Sequence, residues 1–252
     1  MKIGAHCVLF RERITTETTE ILTGLAKAGY EGFEMGARFF GVDDKAKLTY
    51  ALDKSGIELS GLHFGAPFGE FVTNKDTVSQ NLLNAAKFLQ GLPNKNIIMS
   101  SSGFDEVDNI EAAKNINDMA LRCGEFGVTI NYHNHAGEFE NNMAVFKTLV
   151  DNAPALKFAL DLGWIYAAGL DPAAIVKQYR SKVDYVHLRD TKNRSREGFT
   201  EMGEGIFNYP SLMPVLQDAL GDNGWAVVEY EDGEQDIQRY IHARAFLRGL
   251  GY

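Results

Sequence analysis

Short apolar runs alternate with longer amphipathic segments from one end of the chain to the other. Each short run has five or six residues and is bounded by turn-forming or polar residues, a pattern typical of β-strands. The pattern predicts eight strands, at residues 2–6, 31–35, 58–63, 96–100, 128–133, 156–161, 183–187 and 226–230.

The segments between these runs have the spacing of amphipathic helices. Gly29, Gly56 and Gly221 stand where such helices should end, because glycine adopts a positive φ at little cost. Asp171 followed by Pro172 predicts the start of another helix. Strand and helix therefore repeat eight times in 252 residues, or about 31 residues for each unit.

This alternation predicts parallel strands joined by crossover helices, which close most simply into a single (β/α)8 TIM barrel of class α/β. We expect one domain over residues 1–252. A doubly wound open sheet is the alternative, but the segment after the first strand, HCVLFRERIT, contains no glycine and no GxGxxG motif. In a barrel, functional residues lie at the carboxyl ends of the strands.

Composition and charge exclude several classes of protein. The net charge of −9 argues against a nucleic-acid partner, which requires a positive surface. The chain has no apolar run of 18 residues and no cleavable leader pattern, so we expect a cytoplasmic protein without a membrane partner. Cys7 and Cys123 are too few for a disulfide framework.

Four consecutive predicted strands end in potential metal ligands, namely His133, Asp161, His187 and Glu229. A mixed nitrogen and oxygen set suits one divalent ion such as Mn²⁺, Co²⁺, Mg²⁺, Fe²⁺ or Zn²⁺. Each residue alone also fits a structural role, as a strand-end histidine, a helix cap or an ion-pair partner. The occurrence of all four at equivalent positions favours a metal site.

Several segments resemble the xylose isomerase-like TIM barrel superfamily, which contains the sugar phosphate isomerase/epimerase family. They are YHNHAGEFE (132–140), LDLGW (160–164), VHLRDTK (186–192), MGEGIFNYPSL (202–212) and WAVVEYE (225–231). The resemblance implies a divalent ion held by an acid from strand five and by Asp161, His187 and Glu229. His133 replaces the usual strand-five glutamate, so the two-glutamate acid/base pair of the family's epimerases lacks one member here.

The resemblance implies a metal-dependent sugar isomerase or epimerase that acts on a ketose, keto-sugar or inosose through a metal-stabilised enediolate. Glu229 is the expected base, and His133 or Lys192 is the expected carrier of the second proton. The same intermediate could eliminate a leaving group, so a lyase or dehydratase acting on a keto-cyclitol or keto-glycoside is the alternative. A non-catalytic sugar-binding barrel is a third reading. A DNA-repair nuclease is disfavoured by the negative charge and by only six histidines.

Further residues are predicted to contact a small-molecule sugar at the same end of the barrel. His6, Glu34 and His63 end the first three strands, Trp164 follows Asp161, and Arg189 follows His187. Each of these also fits a buried structural role. Aromatic residues in the early loops, at positions 10, 39, 40, 64 and 68, either cap the pocket or mediate self-association, so a homo-oligomer is left open.

Overall fold

A computed structural model describes residues 1–39, 44–104 and 108–252 of the chain, and eight parallel strands in it close into a barrel. The barrel strands are β1 (Lys2–His6), β2 (Gly32–Gly36), β3 (Glu58–Gly65), β4 (Asn96–Ser100), β5 (Thr129–His133), β6 (Lys157–Asp161), β7 (Val183–Leu188) and β10 (Trp225–Glu229). β1 pairs with β2 on one side and with β10 on the other, which completes the closure. The predicted (β/α)8 TIM barrel is confirmed.

The register of the strands places the polar strand ends on one ring. His6 pairs with both Glu34 and Glu229 across its two neighbouring strands. Asp161 likewise pairs with His187. Because parallel strands in a barrel end at the same rim, these side chains meet even though they are far apart in sequence.

Helices pack around the outside of the barrel and return the chain to the next strand. Their bounds are α1 (Arg13–Thr16), α2 (Thr18–Ala28), α3 (Lys45–Ser55), α4 (Glu70–Thr73), α5 (Lys75–Phe88), α6 (Asn109–Gly124), α7 (Glu140–Asn152), α8 (Leu162–Ala167), α9 (Pro172–Tyr179), α10 (Tyr209–Leu220) and α11 (Ile237–Gly249). Local sequence explains their ends: Gly29 ends α2 at φ 95°, and the Asp171 carboxylate accepts a hydrogen bond from the backbone N–H of Ala173 at the start of α9.

Two features near the rim were not predicted from the sequence. The short helix α8 directly follows Asp161, whose carboxylate caps it by accepting a hydrogen bond from Trp164 N. The hairpin of β8 (Asp190–Thr191) and β9 (Phe199–Thr200) directly follows β7. Strands of two residues and a helix of six are too short to produce a recognisable apolar period.

A compact apolar layer fills the barrel interior. Ile98, Ala159, Tyr185, Trp225 and Val227 form a cluster of their own, separate from the larger core between strands and helices. Glycine makes room for it, because a Cβ on Gly32 would lie 2.4 Å from the Trp225 ring. The interior is therefore packed, as in other barrels of this type, and is not a pore.

No helix in the described part of the chain has the length and apolar character needed to cross a membrane.

Candidate metal centre

The four predicted metal ligands come together at the carboxyl ends of β5, β6, β7 and β10. One donor atom from each of His133, Asp161, His187 and Glu229 lies within 4.8 Å of the other three. All four residues are buried, and Glu229, the most exposed of them, is 4% exposed. The geometry therefore brings two imidazoles and two carboxylates around one point.

The hydrogen bonding of these residues tests whether they fit a metal ion. His133 Nδ1 is buried and has no hydrogen-bond partner within the described residues. His187 Nδ1 lies 2.8 Å from Glu229 Oε2, which also lies 2.9 Å from Arg189 Nη2. A buried polar atom without a partner is costly, and a divalent ion among these residues would give His133 a partner. The four residues fit such an ion.

Asp161 differs from the other three because both of its oxygens already accept hydrogen bonds. Oδ1 accepts from Trp164 N at 2.9 Å and Oδ2 accepts from Arg189 Nε at 2.6 Å. A carboxylate oxygen has a second lone pair, so each of these bonds leaves room for a metal ligand interaction. Hydrogen bonds of this kind fix the direction of a ligating carboxylate.

Arg189 is enclosed by the acids of the site. Only 3% of it is exposed, and its Nη2 lies 2.9 Å from Glu229 Oε2 and also contacts the Glu231 carboxylate. Burial alone would lower the pKa of the Arg189 guanidinium, but the charges of Asp161, Glu229 and Glu231 outweigh it and raise the pKa. The structure thus places Arg189 against the ligand carboxylates, and substrate binding by Arg189 stays a prediction.

His6, Glu34 and His63 lie on β1, β2 and β3, beside the candidate ligands. His6 Nδ1 is 2.8 Å from Glu229 Oε1, and His63 Nδ1 is 2.8 Å from Glu34 Oε1. The second oxygen of Glu34 lies 2.7 Å from His187 Nε2. These three residues, predicted as substrate contacts, therefore bond to each other and to two of the ligands.

Burial and charge set the protonation of the ligands. Burial, together with the charge of His187, lowers the pKa of His133 well below its usual value. Burial also raises the pKa of Asp161 to about 6, although Arg189 opposes the rise. Burial would raise the pKa of Glu229, but the charges of Arg189, His187 and His6 lower it well below its usual value. At neutral pH His133 is neutral, which is the form that metal binding requires.

A cavity of about 610 Å³ opens onto these residues. Its inner part is lined by His6, His63, His133, His135, Glu229 and Glu231. Its outer part is lined mainly by apolar and amide side chains, among them Val8, Phe39, Phe64, Asn81, Asn84 and Phe88. The volume lies in the range of small-molecule sites. Of the early-loop aromatic residues, Phe10 and Phe68 are buried in the core and Phe40 lies outside the described residues.

Trp164 and Lys192, like Glu34 and Arg189, are predicted catalytic or substrate-binding residues that do not line this cavity. Trp164 packs edge-on against Phe199, with ring centroids 4.9 Å apart, and its centroid lies 5.7 Å from that of His135. Lys192 is exposed in the turn of the β8–β9 hairpin. Their predicted roles in substrate binding and proton transfer stay predictions.

Sequence reasoning did not assign three residues that complete the site. His135 lines the cavity and has a buried Nδ1 without a hydrogen-bond partner in the described chain. Glu231 also lines it, and Tyr185 donates a hydrogen bond to Glu34 Oε2 at 2.8 Å. Spacing offered a signal for His135 and Glu231, because each lies two residues beyond a strand-end ligand. Tyr185 looked like an ordinary core residue.

Comparison with known proteins places this geometry in a family. The sequence profile of the xylose isomerase-like TIM barrel family matches residues 22–250. The chain is also similar to the inosose dehydratase of Klebsiella pneumoniae (strain 342), with 26% identity over 267 residues that cover 91% of this chain and 88% of that protein.

Two solved structures share the architecture over the whole chain. The probable 3-DHS dehydratase AsbF, involved in petrobactin synthesis in Bacillus anthracis, superimposes with a TM-score of 0.77 at 16% identity, covering 98% of this chain and 99% of that one. The D-psicose 3-epimerase of Clostridium cellulolyticum H10 superimposes with a TM-score of 0.76 at 15% identity, covering 100% and 99%. At these identities the two similarities support the fold alone.

Proposed function

Because the chain belongs to the xylose isomerase-like TIM barrel family, we propose that it is a metal-dependent enzyme that removes a proton beside the carbonyl group of a keto-sugar or keto-cyclitol. One observation carries the proposal. Two imidazoles and two carboxylates bring donor atoms within 4.8 Å of one another beside a cavity of small-molecule size, and His133 Nδ1 is buried there without a hydrogen-bond partner in the described chain. A buried atom without a partner is unfavourable in a purely structural cluster and favourable in a metal site.

His133, Asp161, His187 and Glu229 would hold the ion. When bound, a divalent ion supplies positive charge beside the substrate's carbonyl oxygen and so favours loss of the neighbouring proton. The protein supplies the proton acceptor and keeps the reacting carbons in a largely enclosed space.

Two lining groups are candidates for proton transfer. Glu229 is ionised and has one oxygen held by His6, so it can accept a proton only from a strongly activated carbon. His135 lines the same cavity, and burial lowers the pKa of its imidazole, so that it is neutral and able to take up a proton at neutral pH. We assign the first proton transfer to Glu229 and place His135 as the second proton carrier.

Loss of water from the substrate is the outcome that we favour. Epimerisation needs two equivalent proton carriers on opposite faces of the substrate, and His133, which replaces the expected acid, belongs to the candidate ligand set. In a dehydration, one group takes the proton from carbon and the leaving hydroxyl takes up a proton to depart as water. Similarity to an inosose dehydratase over 91% of the chain supports a keto-cyclitol as the substrate.

Isomerisation or epimerisation of a ketose or keto-sugar is the second candidate, because it begins with the same proton removal. A dehydrated product is lighter than its substrate by one water molecule, whereas an epimer has the same mass. Mass spectrometry of reactions in D₂O therefore separates the two, since an epimer also acquires deuterium at the reacting carbon.

The test begins with metal content. Purified protein should bind about one divalent ion per chain, by the ligand count of a four-residue site. Asp161→Ala and His187→Ala should lose the ion and the activity. Asp184→Ala is a matched control, because Asp184 lies on the same strand as His187 but is exposed beside Lys157.

Activity is then measured on a panel of inososes and keto-sugars with Mn²⁺, Co²⁺, Mg²⁺ and Zn²⁺. Full metal content and activity in both alanine variants would refute the site. A rate on every substrate equal to that of the metal-free control, with substrate still bound, would instead support a sugar-binding barrel without catalysis.

A further inference from the structure

Glu34 is a fully buried carboxylate in the middle of β2, and it contacts four side chains of the site. Oε2 lies 2.7 Å from His187 Nε2 and 2.8 Å from the Tyr185 hydroxyl. Oε1 lies 2.8 Å from His63 Nδ1 and 3.5 Å from His6 Nε2. Glu34 does not line the cavity, so a substrate in the cavity would meet the residues around it first.

His6, Glu34 and His187 also have donor atoms within 4.8 Å of one another, as a second metal site would. Their hydrogen bonding argues against that interpretation. Both Glu34 oxygens accept hydrogen bonds, and His6 Nδ1 and His187 Nε2 are each bonded to a carboxylate. The four-residue centre, in contrast, contains a buried nitrogen without a hydrogen-bond partner in the described chain, His133 Nδ1. This second group is therefore a closed hydrogen-bond network.

The network dictates which nitrogen of His187 is available to an ion. An ionised carboxylate only accepts hydrogen bonds, so the contact with Glu34 Oε2 requires a hydrogen on His187 Nε2. The other nitrogen, Nδ1, then faces the ligand carboxylate of Glu229, with Oε2 at 2.8 Å. Tyr185 and His63 hold the Glu34 carboxylate in turn, and Tyr185 OH is itself within 2.8 Å of Ser60 Oγ.

We propose that Glu34 is a positioning residue that holds His187 by its Nε2–H and thereby presents His187 Nδ1 to the metal ion. This inference rests on the metal site of the proposed function. The strands then differ in function, because β5, β6, β7 and β10 supply the ligands whereas β2 orients one of them. Carboxylates that orient a metal-bound histidine in this way raise its basicity and the affinity of the site.

The first experiment compares Zn²⁺ affinity in Glu34→Gln and in wild-type protein by competition with a chromophoric chelator. Glutamine keeps the size of the side chain and can still accept the His187 hydrogen bond, but it has no charge and only one accepting oxygen. We expect the dissociation constant to rise about 10- to 100-fold. Glu58→Gln is the matched control, since Glu58 bonds Lys2 and Asn94 instead, and its dissociation constant should equal that of the wild type.

The second experiment reads the ring nitrogens of His187 directly. Wild-type protein labelled with ¹⁵N-histidine and loaded with Zn²⁺ should show His187 coordinated through Nδ1, with an exchange-protected proton on Nε2, in long-range ¹H–¹⁵N spectra. His187→Asn identifies its signals. In Glu34→Gln, the resonance of the Nε2 proton should move upfield, because a neutral amide forms a weaker hydrogen bond than a carboxylate does, a change that a merely structural role of Glu34 would not produce.

The outcomes separate the two proposals. Equal Zn²⁺ affinity in Glu34→Gln and wild type would overturn the positioning role while leaving the metal site intact. Coordination of His187 through Nε2 in the wild type would overturn it as well, even if Glu34→Gln does not fold. Absence of Zn²⁺ binding in the wild type would refute the proposed function and the positioning role together.

Discussion

Glu138 is a buried acid whose protonation should change the stability of the protein near neutral pH. It lies in the loop after β5, where Oε2 accepts a hydrogen bond from His135 N at 2.9 Å and Oε1 accepts one from the Tyr132 hydroxyl at 3.2 Å. Burial raises the pKa of Glu138 to about 7, from an ordinary value of 4.5. The side chain thus anchors the loop that carries His135 into the cavity wall.

The effect of pH on stability follows from this difference. Because the pKa is higher in the folded than in the unfolded state, the stability that Glu138 contributes is complete below about pH 4.5 and is lost as the pH rises through about 7. At about 1.4 kcal/mol for each factor of ten in the acid equilibrium, the total loss is about 3 kcal/mol. For a chain of this size, that corresponds to roughly 6–12 °C in melting temperature.

Glu138→Gln removes the titration and keeps both hydrogen bonds, because the amide oxygen accepts from His135 N and the amide group donates to the Tyr132 hydroxyl. We expect the variant and the wild type to melt at similar temperatures at about pH 4.5, and the variant to melt higher by nearly the full amount at about pH 8. Thermal denaturation should be followed in the presence of a chelator, since a bound ion would add its own stabilisation.

The exposed neighbour Glu140 provides the control, because Glu140→Gln should show no such dependence on pH. A difference between Glu138→Gln and wild type that stays constant from about pH 4.5 to about pH 8 would refute the reasoning. It would mean that the pKa of Glu138 is the same in the folded and the unfolded protein.

Three further variants test other contacts of the site. Arg189→Met leaves the buried Asp161 and Glu229 carboxylates without the guanidinium that contacts both. Urea denaturation of the metal-free protein should therefore show a free energy of unfolding lower by about 3–5 kcal/mol. An unchanged free energy of unfolding would contradict this. His133→Glu replaces an imidazole by a carboxylate, so the metal preference of the site should shift from Zn²⁺ towards Mn²⁺ and Mg²⁺. Titrations of the wild type and the variant with each ion measure this shift. An unchanged ratio of the Zn²⁺ and Mn²⁺ affinities would count against His133 as a ligand. Gly205→Ala would place a Cβ 2.0 Å from the Asp190 carboxylate, which accepts hydrogen bonds from the Gly203 and Gly205 N–H groups. The substitution should therefore lower the free energy of unfolding by about 1–3 kcal/mol. An unchanged denaturation midpoint would show that the loop adjusts freely.

The barrel could be predicted from the sequence because its signal is spread over the whole chain. Eight strand-length apolar runs fell within one or two residues of the observed strands, from Lys2–His6 to Trp225–Glu229. The β8–β9 hairpin could not be predicted in this way. Its order comes from tertiary contacts, chiefly the Asp190 carboxylate, which accepts hydrogen bonds from three backbone N–H groups of residues 203–207.

The four candidate metal ligands could be named from the sequence alone. His133, Asp161, His187 and Glu229 each end a strand, and parallel strands of a closed barrel end at one rim, so their convergence follows from the order of the elements. That reasoning uses the position of each backbone segment and needs no knowledge of side-chain directions.

The contacts of the neighbouring polar residues, in contrast, depend on the tertiary structure. Glu34, His63 and Arg189 occupy strand-end or adjacent positions like those of the ligands, yet Glu34 is enclosed by histidines and Arg189 by carboxylates. The reason is physical. A polar side chain either faces the cavity or bonds to another side chain, and contacts of a few ångströms between distant strands decide which. The 2.7 Å between Glu34 Oε2 and His187 Nε2 is such a contact. No local pattern in the sequence encodes contacts of this kind.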